Sequence, residues 1–378
     1  MLIETKDFKE ICSKLLTAVD NNELSIITET LELLVENNYL YLNVTNKEYF
    51  AQVKIKIQEE ETFHATVNAN LFLKLISQIT TEHIKFSIQD NYLYVIGNGN
   101  YELPLIFNGD SLLELPQIKI NNVTNTFNID SNILKSILQY NSKELSKGVD
   151  SISKPVQKLY YLDEQGAITF TANSACINNF KLEAPIKLLL NNRLVKLFKL
   201  FDDETIEFTL GYDDIGNDII QPKVQFKTND IVLTAILPGD ESLLTSVPVE
   251  AIRGRANAAY TYGINIARDA LIQTLNRLML FSTVGNKEDN KLYSVFEFNK
   301  SSMVVYDTKK TNKEEIQYNN ELEEMEEPYI ATLDLMDLKN TLENCNESYL
   351  TMYFGDHTAI IISRGNVRNV ISECHLKR

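Results

Sequence analysis

The sequence predicts an α+β protein built from three tandem units, each with two helices packed on antiparallel sheets. Three observations carry this expectation. Six short segments place apolar residues at helical spacing. Runs of β-formers between them are punctuated by Asn, Asp and Gly pairs. One closing motif recurs about a third of the chain later.

The helical segments come in pairs. One set comprises residues 7–17 (DFKEICSKLLT), 131–140 (SNILKSILQY) and 267–278 (ARDALIQTLNRL), each with Asp, Ser or Asn near its start as an N-cap signal. The other comprises 70–79 (NLFLKLISQI), 192–201 (NRLVKLFKLF) and 335–344 (LMDLKNTLEN). In the first pair, Phe8, Ile11, Cys12 and Leu15 are matched by Phe72, Leu75, Ile76 and Ile79. That i, i+3, i+4, i+7 spacing lays one apolar stripe on each helix.

Strand signals fall at 39–44, 51–57, 84–88, 92–96, 168–172, 205–210, 223–227, 231–236 and 349–354. Glu36-Asn37-Asn38, Asp90-Asn91 and Gly97-Asn98-Gly99-Asn100 are hairpin signals, so the sheets should be largely antiparallel. The closing motif appears at 107–116 (FNGDSLLELP) and 237–248 (LPGDESLLTSVP), with Gly109 and Gly239 in corresponding places and a Pro before each linker-like stretch. The simplest partition is 1–120, 121–250 and 251–378, with 285–290 and the acidic 309–328 as solvent loops.

Composition narrows the function. The 378 residues carry 36 Lys+Arg against 52 Asp+Glu, a net charge of −16, and 44% are apolar, which excludes a disordered chain. No apolar stretch approaches the ~20 residues of a membrane helix. The charged N-terminus MLIETKDFKEI lacks a signal-peptide core, and four cysteines without a C-x-x-C pair do not make a disulfide framework. A cytoplasmic location and no membrane association are expected. The acidity argues against a surface that grips phosphate everywhere, but not against a local basic face. Such a face is visible at 184–201, with four basic residues and no acid. Basic positions on the predicted helices are Lys9, Lys14, Lys74, Lys135, Arg193, Lys196, Lys199, Arg268, Arg277 and Lys339, and Lys143, Lys147, Lys154 and Lys158 follow the third helix.

Catalytic patterns are missing. His64, His83, His357 and His375 are scattered, with no H-E-x-x-H or paired Cys/His metal spacing. Cys374 and His375 are neighbours whose side chains on a strand would point to opposite faces. No phosphate-binding loop occurs, and the acidic 321–327 run is a solvated loop. Neither a metal, a cofactor nor an enzymatic activity is expected.

Three tandem α+β repeats of this size resemble the bacterial sliding clamps, the beta subunit of DNA polymerase III. The likeness covers the whole chain and rests on architecture. Residues 168–177 (ITFTANSACI) sit where that family shows a strand running into Ala-Thr-Asp-Gly-His-Arg-Leu, and 236–248 where it has a Gly-x-Phe-Pro-x-Tyr stretch ending in Pro. Asn173, Ser174, Ala175 and Cys176 replace the usual Asp-Gly-His-Arg, and the C-terminus, 370–378 (VISECHLKR), departs from the usual apolar pair and Met-Pro-Met-Arg. Such drift points to a divergent member, of the kind phages or mobile elements carry.

The resemblance implies a head-to-tail homodimer, a ring of six similar clamp domains around double-stranded DNA, bound without regard to sequence. It implies a DNA polymerase and a separate clamp loader ATPase as partners. Carried over, it makes Lys9, Lys14, Lys74, Lys135, Lys143, Lys147, Lys154, Arg193, Lys196, Lys199, Arg268, Arg277 and Lys339 DNA-facing. A partner-peptide pocket would comprise Ile177, Leu243, Val247, Pro248, Val370, Ile371 and Leu376. Two rivals stand beside it: a clamp-like interaction scaffold that does not retain DNA, and an enzyme using scattered carboxylates.

Overall fold

The structure is a computed structural model that describes residues 1–19, 25–57, 62–142, 145, 154–202, 204–216, 219–281, 292–307, 310–323, 325–343, 345–355 and 359–374. The described helices are α1 (Thr5–Leu15), α2 (Ala69–Gln78), α3 (Ser131–Ser136), α4 (Asn192–Lys196), α5 (Glu241–Thr245), α6 (Val249–Ala256), α7 (Arg268–Met279) and α8 (Leu335–Glu343). Helix α3 runs on as one π-turn over Ile137–Asn141, and α4 as a 3-10 turn over Leu197–Leu200. The six predicted helical segments are all present. The chain divides into two compact units, Met1–Lys135 with Arg193–Gly239, and Ser136–Asn192 with Asp240–Arg378.

In the first unit an eight-stranded sheet runs in the order Asn122–Asp130, Thr205–Asp214, Ile220–Lys227, Ile231–Ile236, Tyr49–Lys56, Tyr39–Thr45, Thr30–Glu36, Phe63–Asn68, with every pairing antiparallel. It joins strands from both sides of the expected boundary at 120, where Thr234 faces Phe50. A four-stranded sheet contains Leu2–Glu4, His83–Gln89, Tyr92–Ile96 and Asn100–Pro104. The predicted stripes of α1 and α2 are buried through Phe8, Cys12, Leu15, Phe72 and Ile76. Phe8 meets Phe72 and Phe86 edge-on, at 6.2 and 5.6 Å between ring centres. Each such ring contributes about 2–3 kcal/mol by leaving water.

In the second unit a nine-stranded sheet runs Lys187–Asn191, Leu159–Asp163, Gly166–Phe170, Ser174–Asn179, Val367–Ser372, Ala359–Arg364, Tyr349–Phe354, Tyr262–Ala267, Asn319–Asn320. Here too the sheet continues across an expected boundary, with Ala175 opposite Val370. A four-stranded sheet holds Lys313–Gln317, Ser302–Asp307, Tyr293–Phe298 and Tyr329–Asp334. Leu271, Leu275 and Leu278 of α7 and Leu335, Leu338 and Leu342 of α8 share one core cluster.

Candidate peptide cleft and nucleic-acid interface

On the second unit, Val367–Ser372 lies against Ser174–Asn179 and presents alternate side chains to its two faces. Val370 joins a buried cluster with Ile177, Ala175 and Val247, against which Leu243 packs. Ile371 points the other way, into the cluster that holds α7 and α8. The expected pocket set is therefore divided. Ile177, Leu243, Val247 and Val370 come together, Pro248 and Val370 line an open cleft, Ile371 stands on the opposite face of the sheet, and Leu376 lies outside the described residues.

The cleft has a volume of about 250 Å³ and is bounded by the 170–175 turn, one face of α6, Val370 and Ser372. Its lip is fixed by hydrogen bonds. The backbone N–H groups of Asn173 and Ser174 donate to Thr171 Oγ1 at 3.2 and 3.0 Å, and the Ser372 N–H donates to the Asn173 carbonyl at 2.7 Å. The helical wall consists of Pro248, Ala251, Ile252 and Arg255, a stripe at i, i+3, i+4 and i+7. That spacing is present in the sequence, but Pro248 before the helix and Gly254 within it obscure it as a helical signal.

The other flank of α6 is tied down. Arg253 donates to both carboxylate oxygens of Asp163 at 2.7 Å. The side chains are only 12% and 4% exposed. Burial alone would raise the Asp163 pKa, but the hydrogen bonds from Arg253 and the Gln165 N–H outweigh it and hold the carboxyl below its ordinary value. A more polar hollow of about 630 Å³ opens on that flank, with Glu164, Lys187, Glu241 and Glu250 among its walls.

The candidate DNA-facing cations behave unequally. Among the described residues, Lys74, Lys154, Lys196 and Lys199 are exposed and make no ion pair. Lys14 sits 3.0 Å from Glu10 and 2.6 Å from Asp202, and Arg277 grips Glu314 with bonds of 2.8 and 2.5 Å. Arg277 thereby holds the Glu314 carboxyl below its ordinary range. Arg268 binds Asp269, Lys339 is 3.7 Å from Glu343, Arg193 is 3.7 Å from Glu48, and Lys9 donates to the Ile79 carbonyl at 2.8 Å. Lys135 is half-buried, and Lys143 and Lys147 lie outside the described residues. Even so, α1, α2, α7 and the helical turns 131–141 and 192–200 each carry net positive charge in a protein of −16, while α8 is net negative. Among the described residues, no cluster of three or more His, Cys, Asp or Glu could hold a metal ion, and no helix is long and apolar enough to cross a membrane.

Helices packed on antiparallel sheets that continue across the expected boundaries near 120 and 250 make a clamp-like fold, the one shared by the solved structures that follow. Residues 1–120 match the family model of the DNA polymerase III beta subunit, N-terminal domain. The chain is 26% identical over 153 residues to the beta sliding clamp of Mycoplasmopsis pulmonis, a stretch that covers 40% of this chain and 38% of that relative. The DNA polymerase III beta subunit of Pseudomonas aeruginosa superposes with a TM-score of 0.77 at 12% identity, covering all of both chains. That of Thermotoga maritima gives 0.77 at 15% identity, over 100% of this chain and 99% of its own. The Bacillus subtilis clamp gives 0.75 at 13% identity with the same coverage. At these identities the structural likeness is one of fold, and the sequence resemblance to a divergent sliding clamp stands.

Proposed function

We propose that this protein is a DNA sliding clamp, a processivity factor that encircles duplex DNA and tethers a replicative polymerase and other DNA-processing proteins. The observation that carries this reading is full-length likeness to bacterial clamps in a chain whose first 120 residues match that family's N-terminal domain. In this reading the clamp domains are 1–120, 121–250 and 251–378, and two chains join head to tail into a six-domain ring in the cytoplasm. Strand pairing across the boundaries near 120 and 250 covers sheet edges that would otherwise invite other strands. No catalysis is required of the clamp itself, and a separate clamp loader ATPase opens the ring.

Retention by encirclement explains the charge. A closed ring stays on DNA by linkage, so tight phosphate binding would only slow it. Weakly basic helices in an acidic chain supply attraction through exchangeable contacts. The cleft beside α6 then takes a short segment of the polymerase or loader, with apolar anchors against Val370 and Ile252.

The pairing of Lys14 and Arg277 with carboxylates favours the second reading, an interaction scaffold that no longer retains DNA. Loading onto nicked circular DNA separates the two. A clamp stays on the circle at moderate salt and slides off once the circle is cut, whereas equal loss from both forms rejects encirclement.

A further inference from the structure

We infer that Arg255 selects the segment that occupies the cleft by reading an Asp or Glu side chain two residues from its apolar anchor. The inference rests on the reading of the cleft as a peptide site. Among the described residues, no acidic side chain lines the cleft, and the guanidinium of Arg255 is the one charge among its walls. Thr171, Asn173, Ser174 and Ser372 are polar but neutral, so none of the described wall residues competes for that cation.

The side chain is exposed and makes no ion pair among the described residues, although the chain carries an excess of acid. Its backbone is nevertheless placed, because the Tyr260 hydroxyl donates to the Arg255 carbonyl at 2.9 Å. An open guanidinium next to an apolar wall offers a planar fork that fits a carboxylate.

Helical register sets the spacing. Arg255 lies about one turn beyond Ala251 and Ile252, which is about 4.5–6 Å along the helix axis. An extended segment advances about 6.6 Å in two residues and returns to the same face. An anchor seated against Ala251 and Ile252 therefore brings the side chain two residues away to Arg255. A neutral residue there leaves the guanidinium unanswered, and a basic one is repelled.

The test uses the full chain and fluorescein-labelled ten-residue peptides on a Ser/Gln background, with a Leu-Leu anchor and either Glu or Gln two residues before or after it. Fluorescence anisotropy should show one Glu placement binding about fivefold tighter than its Gln counterpart. The preference should vanish in Arg255→Gln, and Arg255→Glu should favour Lys at that place. An unchanged thermal midpoint confirms that both variants are folded. If Glu and Gln peptides bind equally while loss of the anchor abolishes binding, Arg255 has no such role and the cleft reading survives. If the anchored peptides bind no better than an all-Ser/Gln control, both fail.

Discussion

Arg253 and Asp163 form a two-pronged ion pair, each N–H···O distance 2.7 Å, that joins α6 to the end of strand Leu159–Asp163. Asp163→Asn leaves the buried guanidinium uncompensated and should cost about 3 kcal/mol, read as a lower urea midpoint. The pH dependence has a definite sign. The folded-state pKa of Asp163 is depressed, so its contribution is present above the unfolded carboxylate pKa of about 4 and is lost as pH falls through the lower folded value. Wild type should therefore lose stability in acid more steeply than Asp163→Asn. Parallel curves would mean that the pair is energetically neutral.

Ala251 is exposed on the wall shared by the cleft and the neighbouring hollow. Ala251→Trp should fill the cleft while changing stability by no more than about 0.5 kcal/mol, since no buried contact is disturbed. Binding of an anchored partner peptide should weaken more than tenfold with the thermal midpoint unmoved. Retained affinity would place the peptide elsewhere.

Lys196 and Lys199 differ from Arg277 in what already holds them. The two lysines are exposed without ion pairs among the described residues, whereas Arg277 is committed to Glu314. If the helices face phosphates, Lys196→Gln with Lys199→Gln should reduce the slope of log affinity against log salt on linear duplex by about 2. Arg277→Gln should alter it far less. Equal effects would show that Glu314 yields its partner to DNA.

These contrasts mark how far the sequence could be read. Strands 231–236 and 349–354 lie where the alternation placed them, and Asn37 and Asn38, at φ of 53° and 64°, make the predicted tight hairpin. Local chemistry decides such features. Pairings such as Thr234 with Phe50 leave no local trace, because they join strands far apart in the chain. Helix α6 was masked by Pro248 before it and Gly254 within it, both breakers in a segment of eight residues. The recurrent closing motif also proved two structures. Gly109 turns at φ +65° between Phe107–Asn108 and Ser111–Leu112, whereas Asp240 caps α5 by accepting the Ser242 N–H at 2.8 Å. The pocket prediction misplaced Ile371 for a related reason, since a resemblance aligned by position does not say which face of a strand a residue takes.

Gly166 sits at the far end of the hairpin whose 170–175 turn forms the cleft's lip. It opens strand Gly166–Phe170 at φ +147°, buried opposite Asn179, and a Cβ there would strike the Asn178 carbonyl and approach Asn179 Cα to 3.1 Å. Neither atom can yield, because both belong to the backbone of a paired strand. Gly166→Ala must therefore add backbone strain and push Gly166–Phe170 away from Ser174–Asn179, the two strands that the 170–175 turn connects. A loss of roughly 3 kcal/mol or more is expected, visible as a lower thermal midpoint. Peptide affinity should fall with it even at temperatures where the variant is folded, because the Thr171–Ser174 lip moves with its strands. Full affinity in a destabilised variant would mean that the lip is held by Ser372 alone.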